Sequence, residues 1–154
     1  MEDQKQQQAP HRTPVYRARR ILILGCGQLG SALAVMLSDS GSIIRVLDNN
    51  SEAFGLLPER RIETARIVPV LGDACSEKDL RRALANESDI LLACTGSQTI
   101  NLMAAQIAKN VIQIPRVLCV LDDLEIAVLF EKLGVESVSS RKIVVDQLFE
   151  KAMA

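Results

Sequence analysis

Ile21-Leu22-Ile23-Leu24-Gly25-Cys26-Gly27-Gln28-Leu29-Gly30 is the stretch that decides the fold. Four apolar residues in a row leave no polar face, as expected of a central parallel strand covered on both sides. They run directly into G-x-G-x-x-G. Gly25 allows the tight turn off the strand, Gly27 lets a phosphate approach the backbone, and Gly30 lets the following helix pack closely on the strand. That helix is expected from Gln28 to Ser40, with Leu29, Leu33, Val35 and Met36 on its apolar face and Gly41 as its stop. Ile43 to Leu47 is a second strand, and Asp48 ends it 23 residues after Gly25. This is the context in which a glycine turn binds a dinucleotide: pyrophosphate at the helix N-terminus, ribose diol on the acid. Asn49 and Asn50 follow Asp48 where a 2′-phosphate would need a guanidinium, so NAD or NADH is favoured over NADP.

Working outward, strands and helices keep alternating. Asn50 or Ser51 can cap a short helix that cannot pass Pro58 intact. Ile67 to Leu71, Ile90 to Cys94, Val117 to Leu121 and Val135 to Val138 read as further strands. Between them, Ser76 caps a helix from Glu77 to Ala85. Ser97 to Ile112 forms the longest helix, burying Leu102, Ala105 and Ala108, and Leu124 to Leu133 is closed by Gly134. A last helix runs from Arg141 to the C-terminus with Ile143, Val144, Val145, Leu148 and Phe149. These sit on a stripe wider than one sheet face needs. The expected fold is α/β, a doubly wound parallel sheet of Rossmann type with six strands in the order 3-2-1-4-5-6 and a C-terminal crossover helix. The ordered domain is 20–154. Residues 1–19 are a Gln-rich polar leader with Pro10 and Pro14, expected to be disordered, and its basic end, Arg17, Arg19 and Arg20, reads as a solvated entry to the first strand.

Composition excludes several classes. A net charge of −1 supplies no basic field for nucleic acid, and 3% aromatic residues without Trp offer few stacking platforms. The apolar runs are too short to span a bilayer and no signal peptide is visible, so a soluble, cytoplasmic protein is expected. The only histidine is His11, and Cys26, Cys75, Cys94 and Cys119 lack CxxC spacing, which leaves no metal site in the expectation. The cysteines read as small buried apolar residues. A redox pair or soft-metal site among Cys26, Cys75 and Cys94, all near strand ends, is the alternative.

Further motifs narrow the field: Ile67 to Asp73 followed by Ala74, Asp89 to Thr95 followed by Gly96, Asn101-Leu102 opening a helix, and Phe130-Glu131-Lys132-Leu133-Gly134-Val135. With the glycine turn and Asp48-Asn49-Asn50, the chain from about Arg20 to Ala154 resembles the N-terminal RCK domain. That family regulates potassium conductance and includes the peripheral nucleotide-binding subunits of Trk-type potassium uptake systems. The resemblance implies that Gly25, Gly27, Gln28 and Leu29 cradle phosphates, with Gly30 completing the turn. It implies that Asp48 and Asn49 hold the adenosine ribose and that Asp73 and Ala74 flank the adenine. Thr95 and Gly96 then face them across the crevice. Residue chemistry alone also allows Thr95 to close a turn, Asp73 to cap the next helix and Asn101 to fix the start of its own helix.

The chain departs from the family's ATP-binding members at Gln28, where they often carry Arg and where it resembles the dinucleotide-binding Trk-type members, and from many members at Val120, where Arg is also common. Both changes favour a ligand less charged than ATP. It also stops after one helix where many members continue into a second subdomain. The resemblance implies a cytosolic regulatory subunit of a potassium transporter or channel, held at the inner face of the membrane through that transporter. Its ligand would be NAD or NADH, ahead of ADP, ATP or AMP, and it would self-associate through the last helix. No set of His, Lys or Tyr suggests catalysis, and no catalytic residues are assigned. The competing readings are a stand-alone nucleotide sensor or assembly module and a small NAD-dependent oxidoreductase.

Overall fold

The computed structural model describes residues 17–154. Strands β1 (Arg20–Leu24), β2 (Ile43–Asp48), β3 (Ile67–Leu71), β4 (Ile90–Ala93), β5 (Arg116–Val120) and β6 (Glu136–Val138) pair side by side in one sheet. All pairs are parallel and the order is β3-β2-β1-β4-β5-β6, the six-stranded arrangement expected from the sequence. β1 lies at the centre, with Leu22, Ile23 and Leu24 fully buried. Of the polar leader, only residues 17–19 fall within the described range. Arg17 and Arg20 pair with Asp89 and Glu87 at 3.0 and 3.1 Å, exposed contacts of small energetic weight.

Alternation along the strands divides the core in two. On one face Ile21, Ile23, Ile44, Val46 and Ile67 pack under α1 (Gln28–Asp39), the 3₁₀ turn Ser51–Leu56 and α2 (Glu59–Glu63). On the other, Leu22, Leu24, Leu91, Ala93, Val117 and Cys119 pack under α3 (Glu77–Arg82), α4 (Gln98–Gln106) and α5 (Leu124–Lys132). The final helix is α6 (Ser140–Met153).

Several local details differ from the sequence reading. Leu29 and Met36 are not core residues of α1: they are 48% and 69% exposed, and the buried face is Gly30, Ser31, Ala34 and Ser38. The glycine turn draws the helix so near the sheet that only small side chains fit along the contact line. Asn50, rather than Ser51, caps the turn after β2, its side chain accepting from the Glu52 amide, and Pro58 separates that turn from α2. α3 ends at Arg82 because Leu84 adopts a left-handed conformation, φ 59°, and a short 3₁₀ turn follows. α4 continues through a wider π turn, Ile107–Ile112, and stops at Gln113, also left-handed. Ala105 and Ala108 are fully buried there, whereas Leu102 is half-buried.

Helix cover is incomplete. Ile90, Leu92, Leu118 and Val120 point to the α1 side of β4 and β5 and remain only half-buried. Beside α1 this leaves an apolar groove of about 630 Å³ whose far wall includes Ile143 and Val144 of α6. Every residue of α6 is exposed, Leu148 and Phe149 at 63% and 66%.

Candidate functional site

The site lies where the strand order reverses. β1 leads to β2 on one side and borders β4 on the other, so the loops after them diverge and leave a crevice at their carboxyl ends. A cleft of about 680 Å³ occupies it.

The glycine turn forms its floor. Gly25 has φ +97°, and a Cβ there would lie 2.9 Å from the Thr95 Cα, so glycine is required where the β1 turn crosses the end of β4. Gly30 sits beneath the turn and is not on the cleft surface. A Cβ on it would collide with the carbonyl oxygen of Gly25, which makes it a packing residue. Above Gly27 the space is open, and a side chain there would project into it. No side chain caps α1, whose first-turn amides and positive dipole end face the cleft.

Asp48 ties the second strand to this floor. One carboxylate oxygen accepts from the Cys26 amide at 2.7 Å and the other from the Asn50 amide at 2.9 Å. Each oxygen keeps a further lone pair for a ligand hydroxyl. Asn49 lines the cleft beside it.

At the β3 end, Gly72, Asp73 and Ala74 form the near wall. The Gly72 amide donates to the Asp48 carbonyl at 2.9 Å. Asp73 accepts from the Cys75 amide, turning its own loop, while Ser76 caps α3. Asp79 accepts from the Asp73 amide at 2.8 Å and pairs with Arg82, and these contacts hold its carboxyl below the usual range.

Across the crevice, Thr95 and Gly96 follow β4. Asn101, 1% exposed, fixes this loop: its Oδ1 accepts from the Thr95 amide at 2.9 Å and from Thr95 Oγ1 at 2.6 Å. Its Nδ2 donates to the carbonyls of Thr95 and Val120 at 3.2 and 3.1 Å. It therefore staples the ends of β4 and β5, while Ser97 performs the cap of α4.

The structure thus brings Gly25, Gly27, Gln28, Leu29, Asp48, Asn49, Asp73, Ala74, Thr95 and Gly96 around one cleft, and leaves Gly30 beneath it. It adds Gly72, Ser97, Gln98, Val120, Asp122 and Ser140. Asp122 and Ser140 are remote in sequence from the glycine turn, and no motif connects them to it. Asp48, Asp73 and Asp122 are the charged residues of the lining, and among the described residues no Lys, Arg, His or Tyr joins them.

Among the described residues no three His, Cys, Asp or Glu side chains converge. Cys26 and Cys94 lie together beneath the cleft, where burial pushes their thiols up to about 11 and about 12. Cys119 is likewise raised by burial to about 11. No helix among the described residues is long and apolar enough to cross a membrane.

Comparison with known proteins agrees with this architecture. The Trk system potassium uptake protein TrkA of Streptomyces coelicolor is 27% identical over 137 residues, covering 86% of this chain and 58% of the relative. The chain therefore spans less than two thirds of that relative's length. The TrkA-N domain of the Escherichia coli inner membrane protein ybaL superposes with a TM-score of 0.73 at 15% identity, over 88% of this chain and 98% of the other. A chain of the GsuK channel bound to NAD superposes at 0.63 and 16% identity, over 82% of this chain and 22% of that one. The TrkA-N domain model matches residues 21–141, which takes in the glycine turn, Asp48, the Gly72-Asp73-Ala74 wall and the first residues of α6, and the chain belongs to the TrkA-N, or RCK N-terminal, family.

Proposed function

We propose that this domain is a cytoplasmic, non-catalytic sensor that binds NAD or NADH in the switch-point cleft and passes ligand state to a potassium transporter or channel. The observation that carries the reading is the pairing of an uncapped α1 N-terminus and open Gly27 with the Asp48 carboxylate. Together they offer a phosphate cradle beside a ribose acceptor. The absence of Lys and Arg from the described lining favours a ligand of low charge over ATP or NADP, since Asp48 would repel a 2′-phosphate. The NAD bound to the GsuK channel supports the ligand, and the potassium uptake named for the Streptomyces relative supports the partner. A dehydrogenase would need an acid or base beside the transferred hydride, and the described lining supplies no His, Lys or Tyr for it.

Self-association belongs to the same reading. Parallel sheets are normally covered on both faces, yet β4 and β5 keep an apolar groove while α6 exposes an apolar stripe. One chain carries both surfaces, and its own α6 meets the groove only with its first residues, Ser140, Ile143 and Val144. A second copy exchanging α6 would cover both, and two-fold dimers are the commonest closed solution.

Calorimetry of the purified chain with NAD, NADH, NADP and ATP tests the ligand. Binding of NAD or NADH tighter than NADP and ATP is expected. Tighter NADP or ATP binding would refute the assignment, and steady NADH oxidation against carbonyl compounds would refute the non-catalytic role.

A further inference from the structure

The cleft has two ends of different chemistry, and the far end is fastened to α6. Asp122, half-buried just after β5, lines the cleft together with Ser140, the first residue of α6. Its Oδ1 accepts from Ser139 Oγ at 3.0 Å and from the Arg141 amide at 3.0 Å. The Ser140 hydroxyl lies 3.2 Å from both carboxylate oxygens. Gln98, at the start of α4, holds the Asp122 backbone by accepting from its amide at 2.9 Å. Among the described residues, apart from the bonds to its cap residue Ser139, the hydrogen bonds that join α6 to the sheet domain all end on this carboxylate. The exposed helix otherwise lines the groove only with Ser140, Ile143 and Val144.

The strand order measures how far a ligand must reach. Asp48 stands at the end of β2 and Asp122 at the end of β5, with β1 and β4 between them. Three strand spacings are roughly 14 Å. A mononucleotide whose ribose sits on Asp48 has its phosphate over the glycine turn, one spacing along, and ends there. A dinucleotide lying along the same line would continue across Thr95 and Gly96 and bring its second ribose, with two hydroxyl donors, within reach of Asp122 and Ser140.

We infer that Asp122 is the positioning residue through which the second nucleoside of a dinucleotide acts on α6: the ligand hydroxyls compete with Ser140 and the Arg141 amide for one carboxylate. Dinucleotides loosen or re-seat the first turn of α6, and mononucleotides fill the near half without doing so. The inference rests on the nucleotide reading above. It gives the cleft a means to distinguish two ligand classes by their effect as well as by their affinity. A ligand can shift an equilibrium only through contacts that differ between its states, and this carboxylate supplies such contacts.

The test is amide hydrogen exchange at Ser140, Arg141 and Lys142 on the intact chain, with NAD and with AMP, alongside calorimetry. In the wild type, NAD is expected to change the exchange rate of the Arg141 amide at least threefold and AMP to leave it within experimental error. Asp122→Ala should speed that exchange about tenfold without ligand, remove the NAD response, and weaken NAD more than AMP by at least threefold. Asp122→Asn, which keeps an acceptor for the Arg141 amide, should restore most of the protection. If Asp122→Ala unfolds the domain, Ser140→Ala carries the test and must by itself diminish the NAD response. Equal responses to NAD and AMP, or an Asp122→Ala or Ser140→Ala protein that responds as the wild type does, would overturn this inference alone. Failure of both nucleotides to bind would overturn the nucleotide reading and this inference with it.

Discussion

The carboxylate of Asp48 accepts a hydrogen bond from the backbone amide of Cys26 at 2.7 Å, so the acid at the end of β2 and the glycine turn after β1 form one unit. Removing the side chain should therefore act on both halves of the site. Asp48→Ala is expected to weaken NAD binding by about 1–3 kcal/mol, the range for a charge-assisted hydrogen bond in a partly buried site. It should also narrow the preference for NAD over NADP, because the 2′-phosphate no longer meets a carboxylate. Calorimetry with both ligands measures the two effects, and an unchanged ratio would count against the assigned role.

Gly27 and Gly30 should separate binding from folding. A methyl group at Gly30 collides with the Gly25 carbonyl, and Gly30→Ala is expected to cost about 1–3 kcal/mol, as overpacking does. Gly27→Ala places its methyl in open space and should leave stability within about 0.5 kcal/mol, yet obstruct the phosphates. Urea melts and NAD titrations of the two variants give opposite patterns if the turn works this way.

α6 should carry the self-association. Burying each of Leu148 and Phe149 is worth about 1.5–3 kcal/mol relative to leaving it wet. Light scattering at micromolar concentration should show an oligomer for the intact chain and a monomer for the Leu148→Asp, Phe149→Asp double variant. A monodisperse wild-type monomer would refute the interface, and an oligomer indifferent to the mutations would move it elsewhere.

Acid should loosen three surface clips together. The Arg141 amide holds Asp122, the Asp73 amide with Arg82 holds Asp79, and Arg116 holds Glu136, each carboxyl lying below its ordinary value of 3.8, 3.8 or 4.5. A carboxyl depressed in the folded state contributes stability that is present above the ordinary value and lost as pH falls through the lower folded one. Stability should accordingly be flat with respect to these groups near neutral pH and decline as pH falls through and below about 4. Neutralising Asp79, Asp122 and Glu136 by amide substitution should flatten that decline in thermal melts.

Thiol chemistry should follow burial. Cys26, Cys94 and Cys119 are buried with pKa values pushed up to about 11, about 12 and about 11, so they stay protonated near neutral pH. Half-buried Cys75 should react first with a thiol reagent, and the other three only after denaturation. Rapid native-state labelling of Cys26 or Cys94 would show that the floor of the cleft opens.

The sequence by itself determined the sheet and the near half of the cleft. Ile21 to Leu24, ending in a glycine turn, reads as a central strand, and the glycine turn with Asp48 is a local pattern whose geometry follows from short-range sterics within one βαβ unit. Even strand order is constrained by the short right-handed connections such units allow. Tertiary structure decided what depends on the approach of distant segments. It turned Leu29 and Met36 outward, because the helix packs too close to the sheet for large side chains. It made Asn101 a staple between β4 and β5. It also brought Asp122 and Ser140 to the cleft, although neither stands in a motif, because their place follows only from where β5 and α6 lie. Periodicity tells which side of an element is apolar. How near that side comes to its neighbours, and which polar groups then share a partner, is settled only when the sheet, its helices and the last turn of chain meet.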